Sequence, residues 1–133
     1  MEKTNIMVEF RIIGDKFNVD EVTDTLKVKP TKVWNKGDAI PSNGRNREYT
    51  CWQYSTGYNE TYGMISQLVK IYNIFSEKEQ VLLELKEKNG LEFKIEIVII
   101  IEKGELPAVY LDVDMITFAH KIGAKYDFDM YIN

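Results

Sequence analysis

The chain has 133 residues, 44% of them hydrophobic and 29% charged, with a net charge of −4. This length predicts one globular domain over residues 1–133, with a core large enough to fold without disulfides or a structural metal. The acidic balance argues against nucleic acid and suits a basic protein partner, and the one cysteine, Cys51, excludes an intramolecular disulfide and a cysteine-based zinc site.

The same features predict a cytoplasmic location. A single cysteine is typical of a reducing compartment. Residues 1–5 lack the charged-then-apolar pattern of a signal peptide, and the longest apolar run, residues 97–101, is too short to span a bilayer. We therefore expect no membrane association.

The first elements along the chain are a strand and a short helix. Residues 7–13 alternate with apolar side chains on one side, which is typical of a strand, and Gly14 ends the alternation. Asn18 follows as a helix N-cap, and Glu21 three residues later completes a capping box. Pro30 forbids any continuation of this helix.

Two strands come next, separated by a loop. Residues 31–36 predict a brief strand, and the polar residues 37–47 contain turn formers and predict a loop. Residues 49–56 are rich in aromatic and β-favouring side chains, so they predict a second strand.

Two helices and the central strand follow. Apolar residues recur at helical spacing over residues 64–75, which predicts the clearest amphipathic helix of the chain. Ser76 and Glu79 form a second capping box for another helix, and Gly90 ends it. Residues 93–101 predict the central strand, with apolar odd positions and even positions that change from polar to apolar along the strand.

The last elements are a capped helix and a final strand. Asp112 caps the helix and Gly123 ends it, and residues 126–132 then alternate as a strand with one wet face. The order β-α-β-β-α-α-β-α-β predicts an α+β fold. We expect a ferredoxin-like two-layer sandwich, a mostly antiparallel sheet with helices packed on one face.

Several short motifs in a fixed order resemble a family of small bacterial proteins, the domain of unknown function 4279. The resemblance covers nearly the whole chain. It implies a compact α+β domain without a settled activity. Because some members lie near secreted-toxin loci, it also implies that the protein is a candidate immunity protein. The motifs are Phe10-x-Ile12-x-Gly14 with Phe17 and Asp20, Leu26-x-Val28-x-Pro30-Thr31, Lys36-Gly37-Asp38, Trp52, Leu111-Asp112, Gly123-Ala124 and Asp127-Phe128-Asp129-Met130-Tyr131.

The loop region around the two tryptophans predicts a ligand pocket. Tryptophan faces and guanidinium groups suit an anion, a nucleotide base or a partner's side chain. The alternative is a turn pinned by Gly37, with the tryptophans as half-buried lids of the core. The candidate ligand-binding residues are Trp34, Lys36, Asp38, Arg45, Arg47 and Trp52.

A second candidate surface combines acidic and tyrosine side chains that would contact a protein partner. Two of its carboxylates alternate on the last strand and could hold a hard cation or do acid–base work, or could instead block edge-to-edge aggregation. The candidate partner-binding residues are Tyr58, Tyr62, Asp127, Asp129 and Tyr131.

No catalytic, cofactor-binding or metal-ligating motif is recognisable in the sequence. Cys51 is expected to be an inert buried thiol, although the sequence alone leaves a pair with His120 open. We therefore expect no catalytic residue, no cofactor and no metal.

Three functions fit these features. The leading hypothesis is a non-enzymatic protein-binding module, in its sharpest form an immunity-type inhibitor that plugs the basic cleft of a toxin domain. The rival is a small-ligand-binding protein or an unrecognised enzyme with a pocket between Trp34 and Trp52. The third is a self-associating structural protein with a strand edge or an apolar face that stays exposed until it dimerises.

Overall fold

The structure, a computed structural model, describes residues 3–61 and 63–133. Within these residues the strands are β1 Asn5–Gly14, β2 Lys32–Trp34, β3 Thr50–Ser55, β4 Asn59–Glu60, β5 Glu92–Ile101 and β6 Lys125–Ile132. The helices are α1 Val19–Leu26, α2 Ile65–Phe75, α3 Glu79–Asn89 and α4 Val113–Ile122, and a 3-10 turn, Ser76–Lys78, joins α2 to α3. No helix in these residues is long and apolar enough to cross a membrane.

The strands form one mixed sheet of six strands. Five of them lie in the order β2-β3-β1-β5-β6, and the two-residue β4 pairs with one end of β1. The pairs of β1 with β3, β4 and β5 and of β2 with β3 are antiparallel, whereas β5 and β6 are parallel. The predicted α+β class is therefore confirmed, and β4 is the one strand that the sequence pattern did not predict.

The first helix has the N-cap that the sequence predicts, but within the described residues Glu21 does not complete a capping box. The side chain of Asn18 accepts hydrogen bonds from the backbone N–H groups of Asp20, at 3.0 Å, and Glu21, at 3.2 Å. The carboxylate of Glu21 accepts a hydrogen bond from Lys88 on α3, so its partner is another helix. The N-cap thus forms, and Glu21 ties α1 to α3.

The second predicted capping box does not form. Ser76 keeps helical backbone angles and its N–H bonds to the carbonyl of Tyr72, so it ends α2 and does not start α3. An N-cap needs an extended backbone, which Ser76 lacks. α3 begins at Glu79 without a side-chain cap, because the 3-10 turn leads directly into it.

The core lies between the helices and one face of the sheet. The even positions of β1 and the odd positions of β5 point into it, and all four α-helices contribute buried apolar side chains. Each large apolar side chain that is fully buried stabilises the fold by about 1.5–3 kcal/mol. The sequence alternation therefore identified this face correctly.

The other face of the sheet has no helix of the described residues packed against it, and we call it the open face. The odd positions of β1 and the even positions of β5 point toward it. Several of these positions carry charged side chains, and they form the candidate functional site.

Candidate functional site

Charged side chains on the open face form two rows that cross the strands. The register of β1, β5 and β6 places Glu9 beside Glu96 and Glu96 beside Asp127, which makes an acidic row. Two residues along the strands, Arg11 lies beside Lys94 in a basic row. Like charges directly opposite each other destabilise a sheet, so the stability of this face depends on attraction between the rows.

Arg11 joins the two rows. Its Nη2 atom lies 3.0 Å from Oε1 of Glu9 and 3.1 Å from Oε2 of Glu96. Lys94 lies 3.7 Å from Glu96 and 3.4 Å from Asp127. Burial by itself lowers the pKa of Arg11, but the carboxylates of Glu96 and Glu9 outweigh it and raise this pKa above its ordinary value.

A groove of about 660 Å³ lies over these rows. We name its two ends after one residue of each. The Trp34 end is formed by Lys32, Trp34, Arg47 and Tyr49, the floor by Met7, Glu9, Arg11, Gln53, Glu96, Val98 and Ile100, and the Asp129 end by Tyr58, Asp129, Tyr131 and Asn133.

The Trp34 end is basic and aromatic. The guanidinium carbon of Arg47 lies 4.0 Å from the centroid of the Trp34 ring, and Nζ of Lys32 lies 5.4 Å from it. Tyr49 packs beside the same ring at a centroid distance of 6.0 Å. A cation within about 6 Å of an indole face is attracted to it, so Trp34 holds both cations at this end.

The Asp129 end is acidic. The hydroxyl of Tyr131 donates a 2.8 Å hydrogen bond to Oδ2 of Asp129, and this bond raises the pKa of Tyr131. Burial, followed by the carboxylates of Glu9, Asp129 and Glu96, raises the pKa of Tyr58. Both tyrosines therefore stay neutral hydrogen-bond donors beside a region of negative charge.

The groove contains polar atoms without a partner among the described residues. Nε2 of Gln53 donates a 2.7 Å hydrogen bond to Glu9, but Oε1 of Gln53 is buried and accepts none from residues 3–61 and 63–133. Nε of Arg11 and Nε1 of Trp34 are also buried and donate to no atom of these residues. An unpaired buried polar group costs about 1–3 kcal/mol, so these three atoms mark unmet hydrogen-bonding capacity under the groove.

A family model matches this chain over nearly its whole length. The model is that of a domain of unknown function, DUF4279, and it matches residues 2–133. The chain belongs to the DUF4279 family. No curated protein and no solved structure matches it. The family that the sequence motifs indicated is thus confirmed.

The two tryptophans of this DUF4279 chain lie on opposite faces of the sheet. Trp34 pairs with Cys51 of β3, and the next residue, Trp52, therefore points the other way, into the core. There Nε1 of Trp52 donates a 3.0 Å hydrogen bond to Thr23 and its ring packs against Phe75. The expectation that both tryptophans line one pocket is wrong, because alternate residues of a strand face opposite sides.

Of the remaining predicted ligand residues, Arg47 lines the groove and the others do not. Lys36 forms an ion pair with Asp15. Asp38 accepts a 2.8 Å hydrogen bond from the backbone of Asn35, and its own carbonyl accepts one from Arg47. Arg45 lies in the same loop outside the groove and its N–H bonds to Asn43. Asp38 therefore holds the loop that carries Arg47, whereas the side chain of Lys36 pairs with the residue that follows β1.

More of the predicted partner-binding residues than of the predicted ligand-binding residues lie at the groove. Tyr58, Asp129 and Tyr131 all lie at the Asp129 end of the groove. Asp127 lies on the same face but pairs with Lys94, and Tyr62 lies outside the described residues.

Cys51 and His120 do not form a pair. The Cys51 thiol is buried on the open-face side of β3, and burial raises its pKa to about 12. His120 is exposed on α4, which packs against the opposite face of the sheet. Within residues 3–61 and 63–133, no group of three His, Cys, Asp or Glu side chains could hold a metal ion.

Sequence analysis missed the whole groove floor, and at the two ends it missed Lys32, Tyr49 and Asn133. Glu9 and Arg11 occupy alternate positions of β1, and Gln53 lies directly opposite Arg11 on β3. The available signal was the pair of charges inside a strand that is otherwise apolar. Such a pair of charges at the centre of a sheet costs free energy unless charged or polar groups on the neighbouring strands pair with it.

Proposed function

We propose that this protein is a non-enzymatic binding module that engages a protein partner through the open-face groove. The observation that supports it best is the gathering of Tyr58, Asp129 and Tyr131 with Arg47 around one concave surface. Tyrosine and arginine are enriched at the centres of protein interfaces, and a concave surface lets a partner's side chains be desolvated there.

The sharpest form of this proposal is an immunity-type inhibitor in a bacterial cytoplasm. The acidic net charge and the carboxylate of Asp129 at the groove would steer a basic toxin domain to this face. The free, buried Cys51 supports a reducing location.

The first experiment is capture of the partner from the native host with the tagged chain, followed by mass spectrometry. We expect one stoichiometric protein partner, and its absence would count against a binding module.

Two pairs of variants locate the contact. Tyr131→Ala should abolish capture, while Tyr110→Ala should not, because Tyr110 is equally exposed, 52% against 51%, but lies outside the groove. Asp129→Lys should weaken capture, and Asp24→Lys, at an exposed position of α1, is its control. Asp127 is a poorer choice, because its reversal would place a second cation beside Lys94. Equal loss in Tyr131→Ala and Tyr110→Ala would move the contact away from the groove.

A second candidate function is the binding of a small molecule in the same groove. Its volume lies within the range of about 300–1,000 Å³ that is typical of small-molecule sites, and its floor has unpartnered polar atoms. This function predicts that a metabolite raises the melting temperature. Arg47→Ala should abolish that shift and Arg45→Ala should preserve it. No shift across a metabolite panel would remove this candidate.

We also infer a finer description of the fold. Apart from β4 and α3, which lie between β3 and β5 as additional elements, β1, α1, β2, β3, α2 and β5 follow the order and pairing of a ferredoxin-like βαββαβ sandwich, to which α4 and β6 add one parallel strand. An experimental structure that places the strands in another order would overturn this description.

A further inference from the structure

We propose that the groove binds an extended segment of the partner whose two ends carry opposite charges, with an acidic group at the Trp34 end and a basic group at the Asp129 end. This inference rests on the proposed protein-binding function and adds the chemistry of the bound segment.

The Trp34 end offers hydrogen-bond donors for an anion. Lys32 and Arg47 lie against the Trp34 ring, and neither forms an ion pair with any described residue. Trp34 itself is only 8% exposed, and its Nε1–H donates to nothing in the described chain. An ammonium, a guanidinium and an indole N–H are all donors, so their common partner is an acceptor such as a carboxylate.

The Asp129 end offers the opposite charge. The Asp129 carboxylate has a hydrogen bond from Tyr131 but forms no ion pair with a cation of the described residues. Glu96 and Glu9 lie nearby, and their charges together with that of Asp129 act on Tyr58. A lysine or arginine of the partner would complete this end.

The floor between the two ends offers one hydrogen-bond acceptor and one donor, the two kinds of group that a peptide bond can pair with. In the part of the chain that the structure describes, Oε1 of Gln53, a residue that is 6% exposed, lacks a donor, and Nε of Arg11 lacks an acceptor. The two residues are direct neighbours across β1 and β3. A backbone amide supplies one donor and one acceptor, and it would reach these two buried atoms when their side chains rotate toward the groove.

The separation of the two ends favours a polypeptide over a small zwitterion. Trp34 lies on β2 and Asp129 on β6, four inter-strand steps apart, which corresponds to at least about 19 Å across the sheet. An extended chain rises about 3.3 Å per residue, so a segment of at least about six residues spans the groove. A single amino acid is too short to reach both ends.

Selection of peptides tests this inference directly. A displayed library of random 12-residue peptides is panned against the wild-type chain, Lys32→Glu/Arg47→Glu, Asp129→Lys and the control Arg45→Glu. Wild type and Arg45→Glu should enrich peptides with an acidic and a basic residue about six positions apart. Lys32→Glu/Arg47→Glu should replace only the acidic preference by a basic one, and Asp129→Lys should replace only the basic preference by an acidic one.

An enriched peptide, synthesised and labelled, should bind each reversal variant at least about tenfold more weakly than wild type, the effect of one lost charge pair of about 1.4 kcal/mol. Each variant must keep the wild-type urea midpoint; where Lys32→Glu/Arg47→Glu does not, Lys32→Gln/Arg47→Gln replaces it and should lose the acidic preference. Enrichment of the same peptides on every variant, or of none on wild type, would overturn the inference.

Failure here is distinguishable from failure of the proposed function. If the native partner is captured by wild type and lost with Tyr131→Ala, but is retained by both charge-reversal variants, the binding function stands and the oppositely charged segment does not. If no partner is captured at all, the proposed function itself fails.

Discussion

Removal of the Arg11 cation should destabilise the protein strongly, because two mostly buried carboxylates depend on it. The side chains of Arg11, Glu9 and Glu96 are 19%, 8% and 14% exposed, and the guanidinium contacts both carboxylates. Breaking a fully buried pair by deleting one partner costs about 3–5 kcal/mol. Gln53 still donates to Glu9, and Lys94 still lies near Glu96, so we expect Arg11→Met to lower the free energy of unfolding by about 2–3 kcal/mol.

Urea unfolding at pH 7, followed by circular dichroism, measures this loss as a lower midpoint with an unchanged slope. In a thermal scan it corresponds to a melting temperature lower by roughly 10 °C for a chain of this size. The neutral triple variant Glu9→Gln/Arg11→Met/Glu96→Gln should be more stable than Arg11→Met, since it leaves no unpaired charge. Lys36→Met, which breaks the exposed pair with Asp15, is the control and should leave the midpoint unchanged.

Two results would refute this reasoning. One is that Arg11→Met lowers the free energy of unfolding by less than about 0.5 kcal/mol, an effect typical of ordinary surface substitutions. The other is a triple variant as unstable as Arg11→Met, which would assign the loss to packing and not to unpaired charge.

Three further predictions concern side chains that the fold buries wholly or in part. Trp52→Ala should lower the free energy of unfolding by about 3–5 kcal/mol in urea titrations, because the ring is fully buried; a loss below about 1 kcal/mol would contradict its place in the core. Cys51, with its pKa raised to about 12, should react with a thiol reagent at pH 8 far more slowly in the folded chain than in urea, and equal rates would contradict its burial. Burial raises the pKa of Tyr126 from 10.0 to about 12, so its contribution to stability is complete below pH 10 and is lost as the pH rises toward 12. Tyr126→Phe should remove that part of the pH dependence, and ionisation of Tyr126 at its ordinary pKa in a spectrophotometric titration would count against it.

Local sequence signals predicted most elements of the fold. Alternation identified the inward side of β1 and β5, and Asn18 and Asp112 act as the N-caps that their positions indicated. These signals succeed because each depends on residues within one turn or one strand. The capping box at Ser76 failed because the chain continues from α2 into α3 with helical backbone angles.

The candidate site was harder to predict because it depends on register between strands. β2 has only three residues, with Val33 and Trp34 both apolar, so alternation does not tell which of them faces the core. Only pairing with β3 puts Trp34 on the open face. Likewise, Glu9 and Glu96 become neighbours only through the pairing of β1 with β5, which no local pattern reveals.

The position of β1 between β3 and β5 also bears on how the chain assembles while it is being synthesised. The partner on one edge of β1 is β3, which leaves the ribosome soon after it, but the partner on the other edge is β5, residues Glu92–Ile101. Until those residues have emerged, β1 keeps an unpaired edge and the helices of the first half lack much of the sheet that covers them. A nascent chain that pauses before β5 therefore exposes an apolar strand, and it is in this interval that aggregation or chaperone binding is most favoured.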